Sequence, residues 1–122
     1  MSTRPRIRTL KPDMWQDERV GQLTRDQRLL FVALITLADD FGRFRALPAA
    51  IIGHAYPYDD DAARKLPGWL RALAASGLIV LYEHDGIPYG WLPKWDSHQR
   101  INRRAEHSSL PEPSVNGKAA KP

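Results

Sequence analysis

The sequence predicts an α+β fold, mostly helical, in which a set of helices runs into a C-terminal β-hairpin. Three observations carry this expectation. Thr24 with Gln27 three residues later forms a capping-box pattern ahead of residues 29–38, which are apolar except for Thr36. Leu66, Leu70, Leu73 and Ala74 then recur at the three- and four-residue spacing of one buried helical stripe, closed by Gly77. Finally, two β-rich runs flank Asp85-Gly86, the dipeptide of a tight hairpin turn.

Taken in chain order, residues 1–11 are basic and interrupted by proline, and read as an extended arm. Pro12 and Asp13 are entry signals and Gly21 a stop signal, which together predict a short helix over 13–20. Its few apolar positions, Met14, Trp15 and Val20, require it to dock on something larger. The helix that follows Thr24 is apolar almost all round, the signature of a central helix wrapped by its neighbours.

Arg43-Phe44-Arg45 alternates as a very short strand with Phe44 inward. Residues 47–55 form another helix, with Pro48 at a permitted first-turn position. Tyr56-Pro57-Tyr58 breaks it, and Asp59-Asp60-Asp61 supplies an N-cap and favourable negative charge for the next helix, which runs to Ser76. Pro67 lies inside this helix, so either it kinks or its main body starts there. Strands are expected over 78–83 and 89–92. Residues 108–122 lack apolar periodicity and read as a disordered tail or linker. The division is an arm over 1–11, a domain over 12–107 and a tail over 108–122.

Helix, short strand, helix, helix, strand, tight turn, strand is the order of a winged helix-turn-helix, here with an extra N-terminal helix and a two-stranded hairpin as the wing. In such a fold the third helix of the trio can enter the major groove, while the hairpin tip reaches backbone or minor groove.

Charge points the same way. The 122 residues carry a net +4 at neutral pH, distributed unevenly. Residues 1–11 hold four basic and no acidic side chains, 12–61 hold five basic and nine acidic, and 62–122 hold nine basic and five acidic. Two basic ends around an acidic middle indicate an anionic partner.

Several function classes are excluded by what the sequence lacks. Without cysteine there is no disulfide scaffold, thiol nucleophile or thiolate zinc site. The four histidines have no metal-pair spacing, and the acidic runs are accounted for by caps and turns. Phosphate loops, dinucleotide turns and nucleophile elbows are missing, so neither an enzyme nor a cofactor is expected. No apolar stretch approaches the roughly 20 residues of a membrane span, and no signal peptide is evident; a cytoplasmic protein with no membrane partner is expected.

The candidate DNA contacts follow from the element assignment. Arg64, Lys65 and Arg71 are the cations of the third helix, with Arg64 and Arg71 two turns apart on one face. Lys94, Arg100, Arg103 and Arg104 follow the second hairpin strand, with Gln99 and Asn102 as polar contacts among them. Arg4, Arg6 and Arg8 form an auxiliary arm able to track phosphates. Of the four tryptophans, three are expected in packing, and Trp95, bordering the basic segment, is open to base stacking.

Three strings extend the reading. The run Leu37-Ala38-Asp39-Asp40-Phe41-Gly42-Arg43-Phe44-Arg45, the run Leu70-Arg71-Ala72-Leu73 leading into Gly77-Leu78-Ile79, and Trp95-Asp96-Ser97-His98-Gln99-Arg100-Ile101 resemble winged-helix modules of phage replication proteins. These are the replisome-organiser or replication-initiator N-terminal domains of bacteriophages and prophages, especially of actinobacteria. The resemblance covers about residues 7–113 and includes Ser109-Leu110-Pro111-Glu112-Pro113. It implies duplex or single-stranded DNA binding in replication initiation, self-association as a homodimer, and recruitment of a replicative helicase or its loader. Similar modules often open longer chains. A second reading is a protein-interaction adaptor that docks through Asp59, Asp60 and Asp61 with Tyr56 and Tyr58. A third is a transcriptional regulator.

Overall fold

The computed structural model describes residues 6–101, 106–115 and 118–119. The predicted first helix is divided in two: a 3-10 turn over Pro12–Gln16 and helix α1 over Glu18–Gly21. Asp17 causes the break. Its backbone is extended, and its carboxylate accepts the Arg19 N–H at 2.8 Å, starting a new helix there.

Helix α2, Arg25–Leu37, begins with the expected reciprocal cap. Thr24 Oγ1 accepts the Gln27 N–H at 3.2 Å, and Gln27 Oε1 accepts the Thr24 N–H at 3.0 Å. The helix is less enclosed than its composition predicts. Leu30 and Leu34 are fully buried, whereas Leu29 on the other side is exposed. Ile35 is buried as well, and Phe31 and Leu37 are half-buried against the core, so Leu29 is the large apolar side chain of this helix left to solvent.

Strand β1 is Arg43–Arg45, and helix α3 is Pro48–Ala55. His54, on α3, lies 2.9 Å from the Thr36 hydroxyl on α2, a contact that ties the two helices together. Helix α4, Ala62–Ala75, starts well before Pro67, so the proline is internal and the body does not begin there. Gly77 ends the helix region with φ +84°, and the Leu78 N–H returns to the Leu73 carbonyl at 3.2 Å. Helices α2, α3 and α4 pack on one another around Leu30, Leu34, Ile51, Leu66 and Leu73.

The hairpin joins strand β2, Val80–His84, to strand β3, Ile87–Trp91. Asp85 and Gly86 both have positive φ, 53° and 77°, the geometry of a two-residue turn whose twist matches the strands. Strand β1 pairs with the far side of β3, giving an antiparallel sheet of order β1-β3-β2. The register sets two distinct faces. Phe44 stands opposite Gly90 and faces the helices; a Cβ on Gly90 would lie 2.1 Å from the Phe44 ring, so only glycine fits. Tyr82, Tyr89 and Trp91 occupy the other face and form a second cluster with Val80 and Leu110.

Helix α5, Trp95–His98, follows the sheet. The chain then crosses the outer sheet face, and this differs from the free tail expected from residue 108. Leu110 packs on the aromatic cluster and Pro113 is buried. Strands β4, Ser114–Val115, and β5, Lys118–Ala119, pair with each other. Among the described residues no helix is long and apolar enough to cross a membrane.

Candidate nucleic-acid interface

Helix α4 turns Ala62, Leu66, Leu70 and Leu73 inward, which fixes what its opposite side presents. Arg64 and Arg71 are exposed there, seven residues apart, with Gly68 between them. The Arg71 guanidinium lies over Gly68, 3.8 Å from where a Cβ would be. Neither arginine makes an ion pair among the described residues, whereas Lys65 is held by Asp61 at 3.0 Å. The Lys65 ammonium draws the Asp61 carboxyl below its ordinary value. Asp61 occupies the N-cap position, yet its side chain caps no N–H, so the expected capping role is replaced by this i,i+4 pair.

The cations after the sheet divide similarly. Lys94 and Arg100 are exposed and make no ion pair among the described residues. Lys94 adopts a left-handed backbone, φ 59°, where the chain turns from the sheet into α5. Lys94 and the end of the α4 region, at Gly77 and Leu78, border one cavity of about 310 Å³. Two other cations at its rim are committed: Lys11 Nζ donates to the Ser97 carbonyl at 2.8 Å, and Arg19 pairs with Asp17 at 2.9 Å.

Three expectations of free contact residues are corrected. The first is Gln99, whose amide donates to the Thr9 carbonyl at 2.9 Å and accepts the Thr9 N–H at 2.8 Å, so that it binds backbone on both sides. The second is the arm. Arg8 is 5% exposed, sits 3.1 Å from Asp40 Oδ1, donates to the Ala38 carbonyl at 3.0 Å and stacks over the Trp95 ring at 5.1 Å. Arg6 reaches the other Asp40 oxygen at 3.3 Å. The third is Trp95, which is buried and donates its indole N–H to the Asp40 carbonyl at 2.9 Å, leaving no face for a base.

Those contacts explain two of the strings singled out in the sequence. Asp39 Oδ1 accepts the N–H groups of Phe41 and Arg43 at 2.8 and 3.0 Å, shaping the turn that leads into β1. Gly42 has φ +79°, and a Cβ there would fall 2.8 Å from Trp95 Cγ. The Asp-Asp-Phe-Gly-Arg string and the Trp-Asp-Ser-His-Gln string therefore meet each other and the N-terminal segment. They build a clasp.

The hairpin tip is also unsuited to phosphate. Glu83, His84 and Asp85 are exposed, and His84 lies 3.3 Å from Asp85. Arg4, Asn102, Arg103 and Arg104 lie outside the described residues. Of the predicted set, the structure leaves Arg64 and Arg71 together on one helix face, with Lys94 and Arg100 exposed beyond the sheet. Sequence reasoning missed Gly68, whose place between the arginines was readable from the three- and four-residue spacing.

The α3–α4 loop offers a separate feature. Tyr58 is 95% exposed beside Asp59, Asp60 and Asp61, whereas Tyr56 is buried against Trp69, with ring centroids 5.6 Å apart. Burial, reinforced by Asp26 and Asp59, pushes the Tyr56 phenol up to about 12. Tyr56 is thus removed from the contact surface on which the adaptor reading places it. In comparison with known proteins, no family model, curated protein or solved structure matches this chain.

Proposed function

We propose that this chain is a winged-helix DNA-binding module of the phage replication-initiation type, with α4 as the helix that meets DNA. The observation that carries the reading is the pair Arg64 and Arg71, exposed two turns apart on the outward face of α4. Guanidinium forks suit phosphate oxygens and guanine edges, and neither arginine has a salt bridge to give up among the described residues. The three packed helices, followed by a hairpin whose β3 also pairs with β1, support the fold part of the proposal. Lys94 and Arg100 add exposed cations after the sheet, while Arg6, Arg8 and Gln99 hold the scaffold. Replication as the process rests on the sequence resemblance alone.

A gel-shift titration with duplex and single-stranded DNA at about 50 mM salt, where phosphate contacts are strong, tests this. Binding by the native chain, weakened several-fold in Arg64→Ala and Arg71→Ala, is the expected result. No binding to either form overturns the proposal. The second reading, an adaptor for a basic protein partner, is favoured by Tyr58 standing fully exposed among three aspartates. It would be preferred if DNA binding fails.

A further inference from the structure

The outer face of the sheet is covered in an unusual manner. Residues 108–113, Ser-Ser-Leu-Pro-Glu-Pro, cross the aromatic slab formed by Tyr82, Tyr89 and Trp91. Tyr82 and Tyr89 are stacked with centroids 5.6 Å apart, and Leu110 packs against the cluster. Two of the polar contacts are to the segment's own backbone carbonyls. Tyr82 donates its hydroxyl to the Pro111 carbonyl at 2.8 Å, and Arg43 donates to the Leu110 carbonyl at 3.0 Å. Ser108 donates its hydroxyl to Asp39, and its oxygen accepts the Leu110 N–H at 3.0 Å, setting the entry of the segment. Pro113 is buried at the other end, while the Glu112 side chain is exposed.

This is the chemistry by which aromatic grooves take proline-rich peptides. An extended backbone with few N–H groups offers its carbonyls to tyrosine and arginine donors, while leucine and proline side chains fill apolar ground. Proline also lowers the conformational freedom lost on seating, so a short segment is enough. Burial holds the Tyr82 phenol up at about 12, which keeps its hydroxyl a donor across the ordinary pH range. A further cavity of about 230 Å³, lined by Phe41, Trp91, Trp95, Glu112 and Pro113 among others, adjoins the end of the segment.

We propose that the outer sheet face is a recognition groove for extended Leu-Pro-x-Pro peptides, filled in cis by residues 108–113, and that a peptide of the same chemistry displaces this strap in trans. Beyond the Ser108 hydroxyl that sets the entry, the contacts that define the groove use the carbonyls, leucine and prolines of the occupant, so they transfer to a chain that presents them. The groove lies on a different surface from the arginine face of α4, and it stands whether or not the chain binds DNA.

The test is a titration of the isotope-labelled full chain with a synthetic peptide spanning residues 107–114, followed by NMR at the Trp91 indole and the Tyr82 and Tyr89 rings. A short tether gives the cis strap an effective concentration of about 1 mM, so displacement should saturate by ~10 mM peptide. A peptide with both prolines replaced by alanine should produce no such shifts. In Leu110→Asp, which loosens the strap and leaves the groove intact, the native peptide should bind at least tenfold more tightly, and adding Tyr82→Phe should reverse most of that gain. Equal affinity for the native chain and for Leu110→Asp overturns the proposal, as do shifts spread beyond the sheet face. If Leu110→Asp fails to fold, the native-chain titration decides: no saturable shift by ~10 mM overturns the proposal.

Discussion

Asp40 is the residue on which the N-terminal half of the clasp depends. It is 7% exposed, and it balances Arg8, itself 5% exposed, as well as Arg6. A buried ion pair adds little net stability, but removing one partner leaves an uncompensated charge, which typically costs about 3 kcal/mol or more. Asp40→Ala is therefore expected to lower unfolding free energy by about 3 kcal/mol in urea denaturation, even though the indole of Trp95 bonds only the Asp40 backbone. Gly42 is equally constrained. Alanine there would adopt φ +79° and press on Trp95 at 2.8 Å, and a cost of about 2–3 kcal/mol is expected in the same measurement. At this scale the sequence was informative about residue types and silent about pairing. Arg8 meets the Ala38 carbonyl thirty positions away, and Trp95 meets Asp40 fifty-five away. A count of charges along the chain treats Arg6 and Arg8 as surplus, whereas the fold neutralises them against a carboxylate from the acidic middle.

Elements were legible where their signals are local. The capping box at Thr24, the buried stripe of α4 and the Asp85-Gly86 turn each depend on residues within a few positions of one another, and each is realised. The division of the first helix was not read, because Asp17 serves as a cap only once its side chain is aimed at the Arg19 N–H. That local arrangement carries a pH dependence. The hydrogen bond from the Arg19 guanidinium holds the Asp17 carboxyl down at about 2, from an ordinary 3.8. With the folded value below the unfolded one, the stabilisation is complete above about pH 4 and is lost as pH falls through about 2. Both side chains are substantially exposed, so solvent screening limits the effect to below about 1 kcal/mol. Asp17→Ala should accordingly be less stable than the native chain by that amount at pH 7. The gap should close below about pH 2, as followed by thermal unfolding across a pH series.

Seen as a whole, the molecule is a helical layer and a small sheet whose two faces are both covered: Phe44 faces the helices, and residues 108–113 cross the other side. Composition could not show that second cover, since a short polar segment with two prolines looks like a linker until aromatic side chains from β2 and β3 lie beside it. The charge asymmetry survives in reduced form. Locking Arg6, Arg8 and Lys65 into ion pairs leaves the outward face of α4, with Lys94 and Arg100 beyond the sheet, as the cationic surface among the predicted contacts that the structure describes. The most direct test of the DNA-binding reading is the dependence of duplex affinity on salt, measured by fluorescence anisotropy between about 50 and 200 mM. Affinity is expected to fall linearly on a log–log plot, and Arg64→Ala and Arg71→Ala each to reduce the slope by about one. A slope that neither substitution changes, or no measurable affinity at the lowest salt, would contradict it.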